Sequence, residues 1–109
     1  MEVSKISDYK AGWFIGNFDP SAFKTEAFEA GISLHPKGSS WPLHYHKIAT
    51  EITLVLSGKM KIQGQLVEAG NVFVIKPYEI ADPEFLEDCK VMVIKTPSVP
   101  GDKYCFKHE

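Results

Sequence analysis

The most informative part of the sequence is GSSWPLHYHKIATE, residues 38–51. In a β-strand, alternate residues point to the same face, roughly 6.5–7 Å apart along the chain. An extended conformation therefore brings the imidazoles of His44 and His46 to one face. Residues 47–50 are enough for the chain to turn back, so that Glu51 opens a neighbouring antiparallel strand and places its carboxylate beside them. Two imidazoles and one carboxylate, with other positions open, form the facial triad favoured by mononuclear iron and related divalent metals.

Taken alone, a His-x-His pair on a strand more often consists of exposed histidines, or of histidines that are hydrogen-bonded to other protein groups, than of metal ligands. The glutamate at this spacing, the flanking glycines and the strand that follows favour metal binding here. The sequence has no dinucleotide or phosphate loop and no Gly-x-Ser-x-Gly elbow. Ser39 and Ser40 lie near the histidines, but no aspartate is placed to orient a Ser-His pair. His35 and His108, outside the stretch, are expected to have surface or packing roles.

The apolar residues of the chain repeat with a period of two, which predicts β-strands rather than α-helices. Residues 51–56, EITLVL, alternate and are rich in β-branched side chains. Residues 72–75 are apolar on both faces, which suits a strand between two packed layers. Short strands with turn signals about every 8–12 residues predict an all-β sandwich or small barrel, and only residues 20–30 are compatible with a short helix. Further strands are predicted at residues 12–16, 27–34, 59–63, 65–68 and 90–95.

The central stretch resembles the first motif of the cupin superfamily, which runs Gly, five residues, His-x-His, three or four residues, Glu, six residues, Gly. The resemblance covers roughly residues 34–96, and residues 1–109 are interpreted as a single cupin domain. It implies an all-β double-stranded β-helix, a jelly-roll-like barrel of two packed antiparallel sheets. It also implies that the two histidines and the glutamate ligate one metal ion inside the barrel. Every position of the motif is satisfied, by Gly38, His44, His46, Glu51 and Gly58.

The second cupin motif, Gly, five residues, Pro-x-Gly, two residues, His, three residues, Asn, is only partly present. Gly70 and Pro77 are retained, but six residues separate them. Glu79 and Leu86 replace the motif's Gly and Asn, and Asp82 stands where the family has its fourth metal ligand, His. Three alternatives follow: Asp82 ligates the metal, water fills the position, or the metal is weak or absent. An aspartate ligand favours Mn, Fe(II) or Mg-like ions over Cu or Zn. The sequence alone does not distinguish Mn, Fe, Ni and Zn.

Two classes of function are compatible with these residues. In the first, the chain is an enzyme whose metal acts as a Lewis acid on a small oxygen-bearing metabolite, a sugar or a carboxylate. Isomerisation, epimerisation and lyase chemistry are then expected, or dioxygen chemistry with Fe(II). Tyr45 is the candidate catalytic residue and, with the acidic loop at residues 77–89, supplies a proton-transfer group at the barrel mouth. In the second, the barrel is a non-catalytic ligand-binding or interaction module with a vestigial metal site.

The composition argues against several kinds of partner. The chain has 109 residues, of which 44% are hydrophobic and 24% charged, as in ordinary soluble globular domains. A formal net charge of −2 gives no positive footprint for nucleic acid or an anionic membrane. The longest apolar run is far too short to span a bilayer. The ligand is therefore expected to be a small molecule.

Compartment and assembly are also predicted from the sequence. The N-terminus is polar and lacks the apolar stretch of a signal peptide, so Cys89 and Cys105 are expected to be reduced thiols in a cytoplasmic protein. A small barrel has strand edges that need cover. Trp13, Phe14 and Phe18 carry more aromatic surface than one barrel easily hides. We therefore expect a homodimer that pairs through this N-terminal strand.

Overall fold

A computed structural model describes residues 1–106 of the chain. Within these residues there is no α-helix, and two short 3-10 helices, Ile6–Asp8 and Lys10–Gly12, precede the first strand. None of the helices is long and apolar enough to cross a membrane. The predicted all-β class is confirmed. The strands are β1 (Trp13–Gly16), β2 (Phe23–Lys24), β3 (Glu29–His35), β4 (His44–Tyr45), β5 (Thr50–Ser57), β6 (Lys59–Ile62), β7 (Gln65–Glu68), β8 (Val72–Ile75), β9 (Glu84–Phe85), β10 (Cys89–Thr96) and β11 (Tyr104–Cys105).

The strands form one large sheet and two small ones. The large sheet has the order β2-β1-β3-β10-β5-β8, the second has the order β7-β6-β9, and β11 pairs with β4. All pairs are antiparallel except β1 with β2. The core lies between the large sheet and β6 and β9, where Val55 and Val91 join Met60 and Phe85 in one buried hydrophobic cluster. This arrangement leaves β4 and the start of β5 at one end of the barrel.

The central strand β5 shows how the alternating sequence is used. Thr53 is 2% exposed and Val55 is fully buried, whereas Ile52 and Leu54 on the other face are only partly covered. Glu51 lies in the same inward-facing row, because its period-two neighbours are Thr53 and Val55. The register that buries these side chains therefore also directs the Glu51 carboxylate into the barrel.

The two glycines that flank the central motif have different roles. Gly58 has a φ of +90°, and a Cβ at this position would overlap the carbonyl oxygen of Asp88. Gly38 has a φ of +78°, but nothing lies within 4 Å of the position of its missing Cβ. Gly58 is therefore required by close packing as well as by backbone conformation, whereas Gly38 serves the turn alone.

Four local predictions from the sequence are wrong. Residues 72–75 form the strand β8, but it lies at the edge of the large sheet with Val72 and Val74 exposed, not between two packed layers. Residues 20–30 form no helix, because β2 pairs with β1 and β3 begins at Glu29. The acidic loop at residues 77–89 contains a strand, β9, which pairs with β6. Trp13 does not project from the barrel as spare aromatic surface, because it packs against the hydrophobic core.

Candidate metal centre

The end of β4 and the start of β5 bring the three motif side chains together. His44 lies in β4, His46 follows it, and Glu51 is the second residue of β5. One possible ligand atom from each residue lies within 4.8 Å of the other two. The two imidazole rings are 5.6 Å apart between centroids and nearly perpendicular, at 84°. This is the juxtaposition that the spacing of the sequence predicts.

Two hydrogen bonds orient the side chains of the cluster. The Nδ1 atom of His44 lies 3.2 Å from the carbonyl oxygen of Pro42, so the ring donates from Nδ1 and leaves its Nε2 lone pair free. The Thr53 hydroxyl donates to Oε2 of Glu51 at 3.1 Å. Supporting contacts of this kind fix the direction of metal ligands and raise their affinity.

His46 has an unsatisfied nitrogen inside the protein. The residue is 2% exposed, and its Nε2 has no hydrogen-bond partner among the described residues. Burial, reinforced by the positive charge of Lys95, lowers the pKa of His46 to about 4. Burial also lowers the pKa of His44. Both imidazoles are therefore neutral near pH 7, the form that binds metals, and the residues present fit a divalent ion.

Asp102 organises the turn that joins His46 to Glu51. Its carboxylate accepts hydrogen bonds from the backbone nitrogens of Lys47, Ile48 and Ala49 at 3.0, 3.1 and 2.9 Å. Burial by itself raises the pKa of Asp102, but these three donors outweigh it and hold the pKa below its ordinary value. Only its position after Pro100 and Gly101 in a proline-rich tail sets Asp102 apart in the sequence, and that signal is weak.

Asp82, the predicted fourth ligand, does not join the cluster. Its side chain is exposed, and Oδ1 accepts a hydrogen bond from the backbone nitrogen of Gln63 at 2.6 Å. The residue opposite His44 is Ala81, whose backbone nitrogen donates to the His44 carbonyl at 2.8 Å. The register is thus shifted by one position from the family pattern, because one extra residue separates Gly70 from Pro77. A small apolar side chain stands where a ligand was expected.

Tyr45, the candidate catalytic residue, lies on the opposite face of β4 from the histidines. Its ring stacks with Tyr104 and Tyr78, at centroid distances of 5.5 and 6.1 Å, and tilts against Phe106. It is part of an aromatic cluster outside the metal centre. Nothing in this position brings its hydroxyl towards the ligand atoms.

The remaining histidine within the described residues has a packing role. His35 stacks on Phe85 at 4.3 Å between ring centroids and accepts a hydrogen bond from Nε1 of Trp41 at 3.2 Å. It therefore stands apart from the metal centre. His108 lies outside the described residues.

A cavity of about 1210 Å³ opens beside the cluster. It is large enough for a small organic molecule, because ligand pockets typically span roughly 300–1,000 Å³. Its walls combine apolar surface with a few polar groups, the composition that such pockets usually have. The residues that line it near the cluster include Trp13, Trp41, His44, Glu51, Thr53, Phe73, Phe85, Lys95 and Lys103.

Comparison with solved structures shows that the chain has the cupin fold. The DMSP lyase DddQ from Ruegeria pomeroyi gives a TM-score of 0.74 at 16% identity, over 89% of this chain and 52% of that one. A protein with a double-stranded β-helix domain from Klebsiella pneumoniae gives 0.71 at 15%, over 97% and 92%. An RmlC-like cupin from Ralstonia eutropha gives 0.63 at 18%, over 89% and 63%. The chain thus spans about half the length of DddQ. No family model and no curated protein match it.

Proposed function

We propose that His44, His46 and Glu51 bind one divalent metal ion, and that the adjoining cavity receives a small oxygen-bearing metabolite. The observation that carries the proposal is the Nε2 atom of His46, which is buried without a partner beside a second imidazole and a carboxylate. A buried polar atom of this kind normally costs stability unless it is satisfied. A divalent ion satisfies it.

The proposed ion supplies Lewis-acid chemistry to a sugar or carboxylate ligand, and Fe(II) additionally supplies dioxygen chemistry. The chain contributes the surroundings. His44 is fixed through Pro42 and Glu51 through Thr53, and the cavity offers apolar surface to the carbon atoms of the ligand. Isomerase, epimerase and lyase activities fit this arrangement, and one structural neighbour, DddQ, is a lyase.

A non-catalytic ligand-binding module is the second candidate. It is favoured by one observation: neither Tyr45 nor Asp82, the groups expected to transfer a proton or complete the site, lies in the cluster. Turnover assays with aldoses, keto-sugars and carboxylates on the metal-loaded protein distinguish the two candidates. Binding without turnover across these classes supports the module.

Metal content tests the proposal directly. Emission spectrometry of protein purified without a histidine tag is expected to find about one divalent ion per chain. His46→Ala loses the ion, because it removes a buried ligand. His35→Ala is the control: it removes a half-buried histidine that lines the cavity outside the cluster, and it is expected to keep the metal. Absence of metal above background, even after reconstitution with Mn, Fe(II), Ni and Zn, overturns the proposal.

We also propose that the protein is a cytoplasmic homodimer. Both cysteines are free, which suits a reducing compartment. The apolar surface that favours pairing lies on β8, an edge strand of the large sheet, where Val72 and Val74 are 59% and 51% exposed. An edge strand with exposed valines is a ready surface for a second copy. Light scattering is expected to give twice the 12.2 kDa of the chain.

A further inference from the structure

An unpaired lysine lies inside the barrel beside the metal centre. Lys95 is in the inward-facing row of β10, where its cross-strand neighbours are Glu29 on β3 and Glu51 on β5. Its ammonium sits 5.0 Å from the ring centre of Trp13. Within residues 1–106 the only ion pair shorter than 4.0 Å is a distant surface pair, so neither flanking carboxylate is bonded to Lys95.

A second lysine reaches the same place from the C-terminal tail. The Lys103 ammonium lies 4.9 Å from the ring centre of Trp41. Lys95 and Lys103 both line the large cavity and also a small pocket of about 70 Å³ next to His46. This volume exceeds what a single water needs, so the pocket has room for a carboxylate group or for several waters.

With a divalent ion bound, the charge of the metal centre is opposite in sign to the net charge of the chain. The whole chain carries a net charge of −2, and all twelve of its basic residues are lysines. At the site, the Lys95 and Lys103 ammoniums face three carboxylates, those of Glu29, Glu51 and Asp102, so the side chains alone carry a net charge of about −1 and a bound divalent ion makes it about +1. A neutral sugar does not compensate this positive charge, whereas an organic anion does.

Resting on the proposed function, we propose that Lys95 and Lys103 form an anion-binding end of the cavity, and that the ligand is a small organic acid held there by its carboxylate. The hydrocarbon part of this acid packs against the aromatic rings of Trp13 and Trp41, which line the cavity. A monoanion suits the site better than phosphate, because Glu29 and Glu51 flank Lys95 and repel a second negative charge. The described residues also offer no arginine fork to a phosphate.

Intrinsic fluorescence reports on this site directly, because both tryptophans of the chain lie against the two ammoniums. The full-length protein is titrated with pentanoate, with its neutral isostere pentanamide and with inorganic phosphate, in metal-free and zinc-reconstituted form. In the zinc-reconstituted form, pentanoate is expected to bind at least tenfold more tightly than pentanamide or phosphate, and this preference is expected to disappear in the metal-free form. Lys95→Met and Lys103→Met each weaken pentanoate binding about tenfold, the effect of one charge-assisted contact.

Lys61→Met is the matched control, since it removes the same charge from an exposed strand away from the cavity. Its affinity for pentanoate stays at the wild-type value. Lys103 is exposed, so its variant tests the proposal even if Lys95→Met does not fold. Equal binding of pentanoate and pentanamide, tighter binding of phosphate, or unchanged affinity in both lysine variants overturns the inference. Metal content is measured on the zinc-reconstituted sample before the titration: one zinc per chain without a preference for pentanoate overturns the inference alone, whereas a sample that takes up no metal overturns the proposed function.

Discussion

Replacement of Asp102 by alanine tests whether the C-terminal tail holds the metal centre in place. The substitution removes the acceptor of three backbone N–H groups in the turn between His46 and Glu51. Ala49 is 2% exposed, so its N–H loses its partner without gaining water, at a cost of about 1–3 kcal/mol. Lys47 and Ile48 are exposed, and water replaces their bonds at a combined cost of about 1 kcal/mol.

The free energy of unfolding of Asp102→Ala is therefore expected to fall by about 2–4 kcal/mol. At roughly 4 °C per kcal/mol for a domain of this size, its Tm falls by about 8–16 °C in a calorimetric scan. Metal affinity falls by about 10–100-fold, because the turn that positions two ligands is loosened. Asp102→Asn keeps one acceptor oxygen for the Ala49 and Ile48 bonds and is expected to lose only about 1 kcal/mol.

Asp82→Ala is the control for this experiment. It also removes a carboxylate that accepts a backbone N–H, but the bond is exposed and lies outside the metal centre. We expect a loss of about 0.5–1 kcal/mol and an unchanged metal affinity. A Tm of Asp102→Ala within 2–3 °C of the wild type, or metal affinity equal in both variants, refutes the reasoning.

Three further predictions concern pH, packing and assembly. In metal-free protein, the free energy of unfolding is expected to fall as pH drops from about 6.5 towards 4, because His46 binds a proton in the unfolded chain at a higher pH than in the folded one. In urea titrations across this range, the free energy of unfolding of His46→Gln should change less with pH than that of the wild type. Gly58→Ala should cost more than 2 kcal/mol through its overlap with the Asp88 carbonyl, whereas Gly64→Ala, also at positive φ but with open space around it, should cost about 1 kcal/mol; equal Tm values for the two variants contradict this. Val74→Lys is expected to halve the mass measured by light scattering, and an unchanged mass places the dimer interface elsewhere.

The sequence predicts the parts of the site that depend on local periodicity. His44, His46 and Glu51 converge because strand alternation and one turn fix their directions, and both are visible in residues 38–51. The position of Asp82 depends on a one-residue change of register in the second motif, and a shift of one residue reverses the face of a side chain. Here the shift brings Ala81 to the site in its place.

The residues that sequence patterns do not reveal are those that act across long distances in the chain. Asp102 contacts the turn from 53–55 positions away, and Lys95 reaches the metal centre only because β10 pairs with β5. The local pattern gives the face on which Lys95 lies, but it does not give the partner strand, and nothing in the local pattern indicates the Asp102 contact. Tyr45 illustrates the opposite case: its neighbours in sequence suggested the site, but alternation along β4 turns it away.

The Asp102 contact means that residues 38–58 do not by themselves contain everything that shapes the candidate metal centre. A peptide of residues 38–58 contains every motif position, yet it lacks the Asp102 carboxylate, which accepts three backbone hydrogen bonds from its central turn. Because Asp102 follows β10 in the chain, the turn has all three of these hydrogen bonds only when the tail lies across the barrel. Transplanting the motif into another scaffold therefore requires an acceptor for these three donors as well as the ligands.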